Sequence, residues 1–190
     1  MRREGDAVGR NHYRFRGVWD LEASPGDVYA VLERAGEYPR WWPQVREVVW
    51  REGGDGGGGR AAGSARIRAL LPYDLRIGVR LTLRDPAART LAIEMTGDLE
   101  GWARWRLAPR DGRHRGPHGP ADAGRPGAAT GTRAVFEQEV EARRPLLRLL
   151  ALPGRPLFAA NHALMMRAGH RGLRRRLGEG PPGGRGKEFG

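Results

Sequence analysis

One arrangement recurs through the chain: apolar residues at every second position with charged residues between them. It is clearest where Leu75, Ile77, Val79, Leu81 and Leu83 alternate with Arg76, Gly78, Arg80, Thr82 and Arg84. Successive side chains of a β-strand point to opposite faces, so such a segment is a strand with one face buried and one in water. Tyr13, Phe15, Gly17, Trp19 and Leu21 alternate in the same way with His12, Arg14, Arg16, Asp20 and Glu22. Further strands are predicted at Val45 to Arg51, Ser64 to Leu71, around Leu91, Ile93 and Met95, around Ala103, Trp105 and Leu107, and around Ala134, Phe136, Gln138 and Val140. Seven strands of this kind predict an antiparallel sheet covered on one side only.

Two helical regions supply the cover. Ser24-Pro25-Gly26-Asp27 combines an N-cap serine, a proline at the first helical position and an acid three residues after the cap. The helix it starts is expected to end at Gly36, and Tyr38 to Pro43 forms a second short turn. Near the C-terminus, Pro-Leu-Leu-Arg-Leu-Leu-Ala-Leu at 145–152 is helical in composition, Pro153-Gly154 is expected to interrupt it, and Pro156 to restart a helix reaching about Leu177. Phe158, Asn161, His162, Met165, Ala168, Gly169 and Leu173 share one face of it at spacings of three and four. Gly169 and Gly172 each cost about 1 kcal/mol against alanine in a helix, which predicts a close approach to the sheet there.

Composition divides the chain. Its 30 Gly and 14 Pro concentrate at 53–63, 112–131 and 178–190, leaving about 145 residues of ordinary composition, enough for one domain with one core. The reading is a flexible N-terminus over 1–11, a domain over 12–177 with two Gly/Pro-rich loops, and a disordered tail over 178–190. The absence of cysteine excludes disulfides, thiolate metal sites and a cysteine nucleophile. No apolar run resembles a secretory signal or a membrane span, which predicts a cytoplasmic protein.

The formal charge of +12 raises the possibility of a basic surface for RNA or anionic membrane. Lys187 is the only lysine among 34 basic residues, and the arginines accompany Ala, Gly and Pro, all with G/C-rich codons. Genome composition therefore accounts for the charge as well as a nucleic-acid surface does. The run Arg171, Arg174, Arg175, Arg176 also complements a helix C-terminus.

The order of elements and three sets of residues resemble the START-like (SRPBCC) superfamily, in its polyketide cyclase/dehydrase branch. The sets are Trp19-x-Leu21-x-Ala23-Ser24-Pro25-x-Asp27-Val28-Tyr29, then Tyr38-Pro39-x-Trp41-Trp42-Pro43-x-Val45, and Asn161-His162 with Met165-Met166. The resemblance implies an α+β helix-grip fold, a seven-stranded curved antiparallel sheet around a long C-terminal helix. It also implies a polyketide, isoprenoid or lipid as ligand, and places Trp41 and Trp42 at the entrance of a cavity.

Inward positions of the strands and helix supply the other expected ligand contacts. On the strands these are Ile67, Tyr73, Ile77, Val79, Ile93, Met95, Trp105 and Phe136. On the helix they are Phe158, His162 and Met165. The enzymatic alternative, an aromatase/cyclase acting on a polyketide, is carried by Tyr38, Ser64 and Arg66 through the resemblance, with His162 as a possible base. Regular alternation turns Ser64, Arg66 and Arg68 to solvent, so that reading requires a bulge. Gly54, Gly56 and Gly59 spell G-x-G-x-x-G inside a glycine tract with no helix after it, and the histidine spacings fit no metal site, so neither a metal nor a cofactor is expected.

Overall fold

The computed structural model describes residues 12–51, 61–68, 74–110, 131–143 and 151–178, with side chains in the last segment from Phe158 onward. The expected flexible N-terminus, most of both Gly/Pro-rich loops, residues 144–150, Tyr73 and the tail beyond Gly178 lie outside the described residues.

The elements run β1 (His12–Leu21), α1 (Pro25–Leu32), a single 3-10 turn (Ala35–Glu37), α2 (Tyr38–Trp41), β2 (Val45–Arg51), β3 (Ala62–Arg68), β4 (Asp74–Asp85), β5 (Thr90–Gly97), β6 (Leu99–Pro109), β7 (Thr132–Ala142) and α3 (Ala151–Gly178). The strands form one curved antiparallel sheet in the order β1-β7-β6-β5-β4-β3-β2. This is the α+β helix-grip architecture. Inner-face residues Trp19, Leu21, Leu75, Ile77, Trp105, Phe136 and Val140 are buried in one core with Val28, Leu32 and Leu173.

Three expectations of detail are corrected. Helix α1 is capped at Glu33, and Gly36 lies in the 3-10 turn that follows. Strand β3 starts at Ala62, because Ala62 and Gly63 pair with Arg51 and Trp50 instead of belonging to the glycine loop. Helix α3 is not interrupted at Pro153-Gly154. It starts at Ala151, which puts Pro153 in the first turn, where a backbone N–H has no intrahelical partner and a proline costs little.

The start of α1 follows its sequence. The Asp27 N–H donates to Ser24 Oγ at 3.2 Å, and the Ser24 hydroxyl donates to Asp27 Oδ2 at 2.7 Å. Replacing an N-cap serine by alanine costs about 1 kcal/mol. Ser24→Ala is therefore expected to lower Tm by roughly 2–4 °C in a thermal melt.

Helix α3 lies along β1. Phe158 stacks on Tyr13 with ring centroids 4.7 Å apart, His162 on Phe15 at 3.9 Å, and His170 on Trp19 at 5.4 Å. Between them, Met166 Cε lies 3.3 Å from the place a Gly17 Cβ would occupy. Four helical residues advance roughly 6 Å and two strand residues just under 7 Å, so the two ladders stay in step over three repeats. The neighbouring stripe of α3 meets α2. A Cβ at Gly169 would enter the Trp42 ring, and one at Gly172 would fall on the Trp41 carbonyl. The close approach expected for these glycines is real, but its partner is the α2 corner and not the sheet.

Candidate functional site

The inner face of β2 to β7, the α1–α2 corner and Met165 of α3 enclose a pocket of about 670 Å³. Pairing explains its wall. Ala65 stands opposite Ile77, Ile67 opposite Leu75, and Val79 opposite Met95, all inner-face positions. Ala65 and Ala103 are small where their neighbours are large, and their missing volume is part of the recess. Leu32, Val45 and Val48 complete the apolar lining, with Tyr38, Trp42, Trp50, Trp105 and Phe136 as its aromatic surfaces.

Of the expected ligand contacts, Trp42, Ile67, Ile77, Val79, Ile93, Met95, Trp105, Phe136 and Met165 line this pocket. Trp41, Phe158 and His162 are placed elsewhere. Trp41 is buried against Trp42, 5.4 Å between centroids, and under Gly172. Phe158 and His162 belong to the β1 ladder. Burial lowers the His162 pKa to about 4, so the imidazole is neutral at physiological pH.

The residues considered for catalysis do not converge. Ser64 pairs with Gly78 and Arg66 with Arg76 in unbroken register, so both sit on the outer face. There the Arg66 guanidinium lies 3.5 Å from Glu47 and 3.8 Å from Asp74. The bulge that β2 does contain, between Val45 and Glu47, does not alter β3. Tyr38 does line the pocket, but its hydroxyl donates to the Leu32 carbonyl at 2.6 Å. Burial holds that phenol far above its ordinary pKa, so the proton stays in place.

Sequence reading missed the polar part of the lining. A bulge between Leu81 and Leu83 shifts the alternation of β4 by one residue. Leu83, expected inside, is 43 % exposed, while Arg84, expected outside, pairs with Leu91 on the inner face and lines the pocket. Its Nη2 meets Glu33 Oε2 at 3.1 Å. Gln138, buried on β7, is a further polar contributor. Only the inward parity of Gln138 was readable beforehand.

Arginines on the outer face are largely engaged. Glu137 takes Arg104 at 2.9 Å and Arg106 at 2.7 Å, Glu139 takes Arg14 at 2.8 Å, and Asp20 takes Arg133 at 2.9 Å. The Arg133 hydrogen bond lowers the Asp20 pKa, and those from Arg104 and Arg14 lower Glu137 and Glu139. Exposed pairs of this kind add little stability. Their main effect is to mask the positive charge over β1, β6 and β7. Among the described residues no helix is long and apolar enough to cross a membrane.

The family described as polyketide cyclase / dehydrase and lipid transport matches residues 12–178. Among curated proteins no match is found. Solved structures similar to this fold include the Zhui aromatase/cyclase from Streptomyces sp. R1128, with a TM-score of 0.64 at 15% identity, covering 88% of this chain and 94% of that one. A protein from Thermus thermophilus gives 0.66 at 16% identity over 89% and 100% of the two chains. A START superfamily protein from Mycobacterium smegmatis gives 0.61 at 12% identity over 87% and 97%.

Proposed function

The chain belongs to the polyketide cyclase / dehydrase and lipid transport family, and on that premise we propose that it binds an apolar or aromatic small molecule between sheet and helix. A polyketide, isoprenoid or lipid is the class that such a lining accommodates. The observation that carries this reading is the pocket: about 670 Å³, within the range of roughly 300–1,000 Å³ of small-molecule sites. Its walls are aliphatic and aromatic, and its few polar groups stand at defined points.

We favour a carrier or binding role over an aromatase/cyclase. Ser64 and Arg66 face solvent, the Tyr38 proton is held by Leu32, and His162 is stacked on Phe15 outside the pocket. An RNA or anionic-membrane surface is the remaining alternative, and the masking of outer-face arginines by Glu137, Glu139 and Asp20 counts against it.

Tryptophan fluorescence tests the proposal, because Trp42, Trp50 and Trp105 line the pocket. Titration with a panel of polycyclic aromatics, isoprenols and fatty acids is expected to give saturable quenching and a raised Tm for at least one class. Arg66→Ala is expected to leave that affinity within about twofold, as suits an exposed pair. Failure of every class to quench or stabilise overturns the proposal. Binding to RNA or anionic vesicles that falls steeply with salt, without any small-molecule binding, establishes the surface reading instead.

A further inference from the structure

Gln138 stands on the inner face of β7, opposite Phe15 of β1 and Ala103 of β6. Phe136 and Val140 flank it on the same face, so its surroundings are apolar. It lines the pocket and is 8% exposed. Its Nε2 reaches the Met95 sulfur at 3.9 Å, while its buried Oε1 has no hydrogen-bond partner among the described residues. A thioether only accepts, so the NH₂ end of the amide belongs beside sulfur and the carbonyl end is left over. A buried acceptor without a donor costs about as much as a lost hydrogen bond, and leucine would occupy the same place at no such cost.

Tyr38, Trp42, Glu33 and Arg84 of the lining have partners within the protein. Tyr38 donates to Leu32, the Trp42 indole donates to the Met165 carbonyl at 3.0 Å, and Glu33 is paired with Arg84. Gln138 alone among these offers an open valence. Ala103, directly across on β6, leaves space beside it.

Resting on the ligand-binding reading above, we propose that Gln138 determines specificity in the pocket by accepting a hydrogen bond from a hydroxyl on an aromatic or polycyclic ligand. The pocket thereby selects phenol-like or alcohol-bearing molecules over the same skeletons with the hydroxyl removed or alkylated. A site built around a buried hydrogen-bonding group rejects analogues that cannot satisfy it far more strongly than an apolar wall rejects a change of shape.

The test uses 2-naphthol and 2-methoxynaphthalene, which share a ring system and differ in the donor. Dissociation constants are measured by tryptophan quenching for the full chain, wild type and Gln138→Leu. The wild type is expected to prefer the naphthol by about tenfold or more. Gln138→Leu is expected to bring the ratio to near one by weakening the naphthol, with ether binding unchanged and Tm at or above that of wild type. Equal wild-type affinities, or a preference that persists in Gln138→Leu, overturn the role of Gln138 while leaving the pocket reading intact. Absence of binding by either probe, together with failure of the wider panel, overturns the pocket reading itself. Should Gln138→Leu not fold, Gln138→Met, unbranched and of similar length, repeats the comparison. A purely structural amide would lower Tm without moving the affinity ratio, and that result also overturns the proposal.

Discussion

Gly172→Ala is expected to destabilise the protein by about 2 kcal/mol or more, although the same change in an open helix would stabilise by about 1 kcal/mol. The added methyl would fall on the Trp41 carbonyl, with the carbonyl carbon 2.8 Å away. Backbone cannot rotate aside as a side chain does, and this backbone is held, because the Trp42 N–H donates to the Tyr38 carbonyl at 2.7 Å. At roughly 2–4 °C per kcal/mol for a chain of this size, Tm should fall by about 4–8 °C or more. Gly36→Ala is the control: no atom of the described residues lies within 4 Å of its added carbon, and its Tm should stay level or rise slightly. Equal melting of wild type and Gly172→Ala would show that α2 and α3 are not in the contact described.

The second large effect is a pH dependence carried by His162. Its ring neighbours are Phe15 and Phe136, and burial lowers its pKa from 6.5 to about 4. Above pH 6.5 the imidazole is neutral in both folded and unfolded chains and adds no slope. Below it the unfolded chain takes up a proton that the folded chain refuses, so stability falls with falling pH and levels off near pH 4. The full loss is up to about 3 kcal/mol. Asp20, Glu137 and Glu139 act in a lower window. Their pKa values are depressed by arginine, so their contribution is complete above the ordinary carboxylate range and fades only as pH drops through it. Denaturant melts of His162→Phe between about pH 7 and 4.5 should therefore be flatter than those of wild type. An unchanged slope would remove His162 as its source.

How far the sequence disclosed this molecule depended on whether a local rule was obeyed without exception. Alternation located the strands because each buries one face, and Ser24, Pro25 and Asp27 located the start of α1 because a cap is satisfied within four residues. The same regularity correctly turned Ser64 and Arg66 outward. It failed at β4, where Thr82 is the extra residue between Leu81 and Leu83, since no residue type near it announces a bulge. Arg84 was missed for that reason, and with it the ion pair it makes with Glu33. Gln138 was visible as an inward residue on β7, but an open acceptor is a property of its neighbours in space, and Phe15, Met95 and Ala103 come from three other strands. Gly169 and Gly172 signalled a close approach without naming its partner, since what they touch lies more than a hundred residues earlier.

The bulge in β4 has a consequence for how such a pocket can change. Inside and outside along a strand are a matter of odd and even, and one supernumerary residue reverses the assignment for everything downstream. Before Thr82 the odd-numbered residues Ile77, Val79 and Leu81 furnish an oily wall; after it an even-numbered one, Arg84, brings a guanidinium to the same wall. Closing the bulge with Thr82 taken into the ladder would bring Leu83 opposite Leu91 and turn Arg84 outward without any amino acid being replaced, whereas loss of Thr82 itself would leave Leu83 opposite Ala92 and Arg84 opposite Leu91. The chemistry presented at this end of the recess is thus set by register, and a one-residue slip in β4 is a shorter route to a new ligand preference than substitution of the residues that touch it.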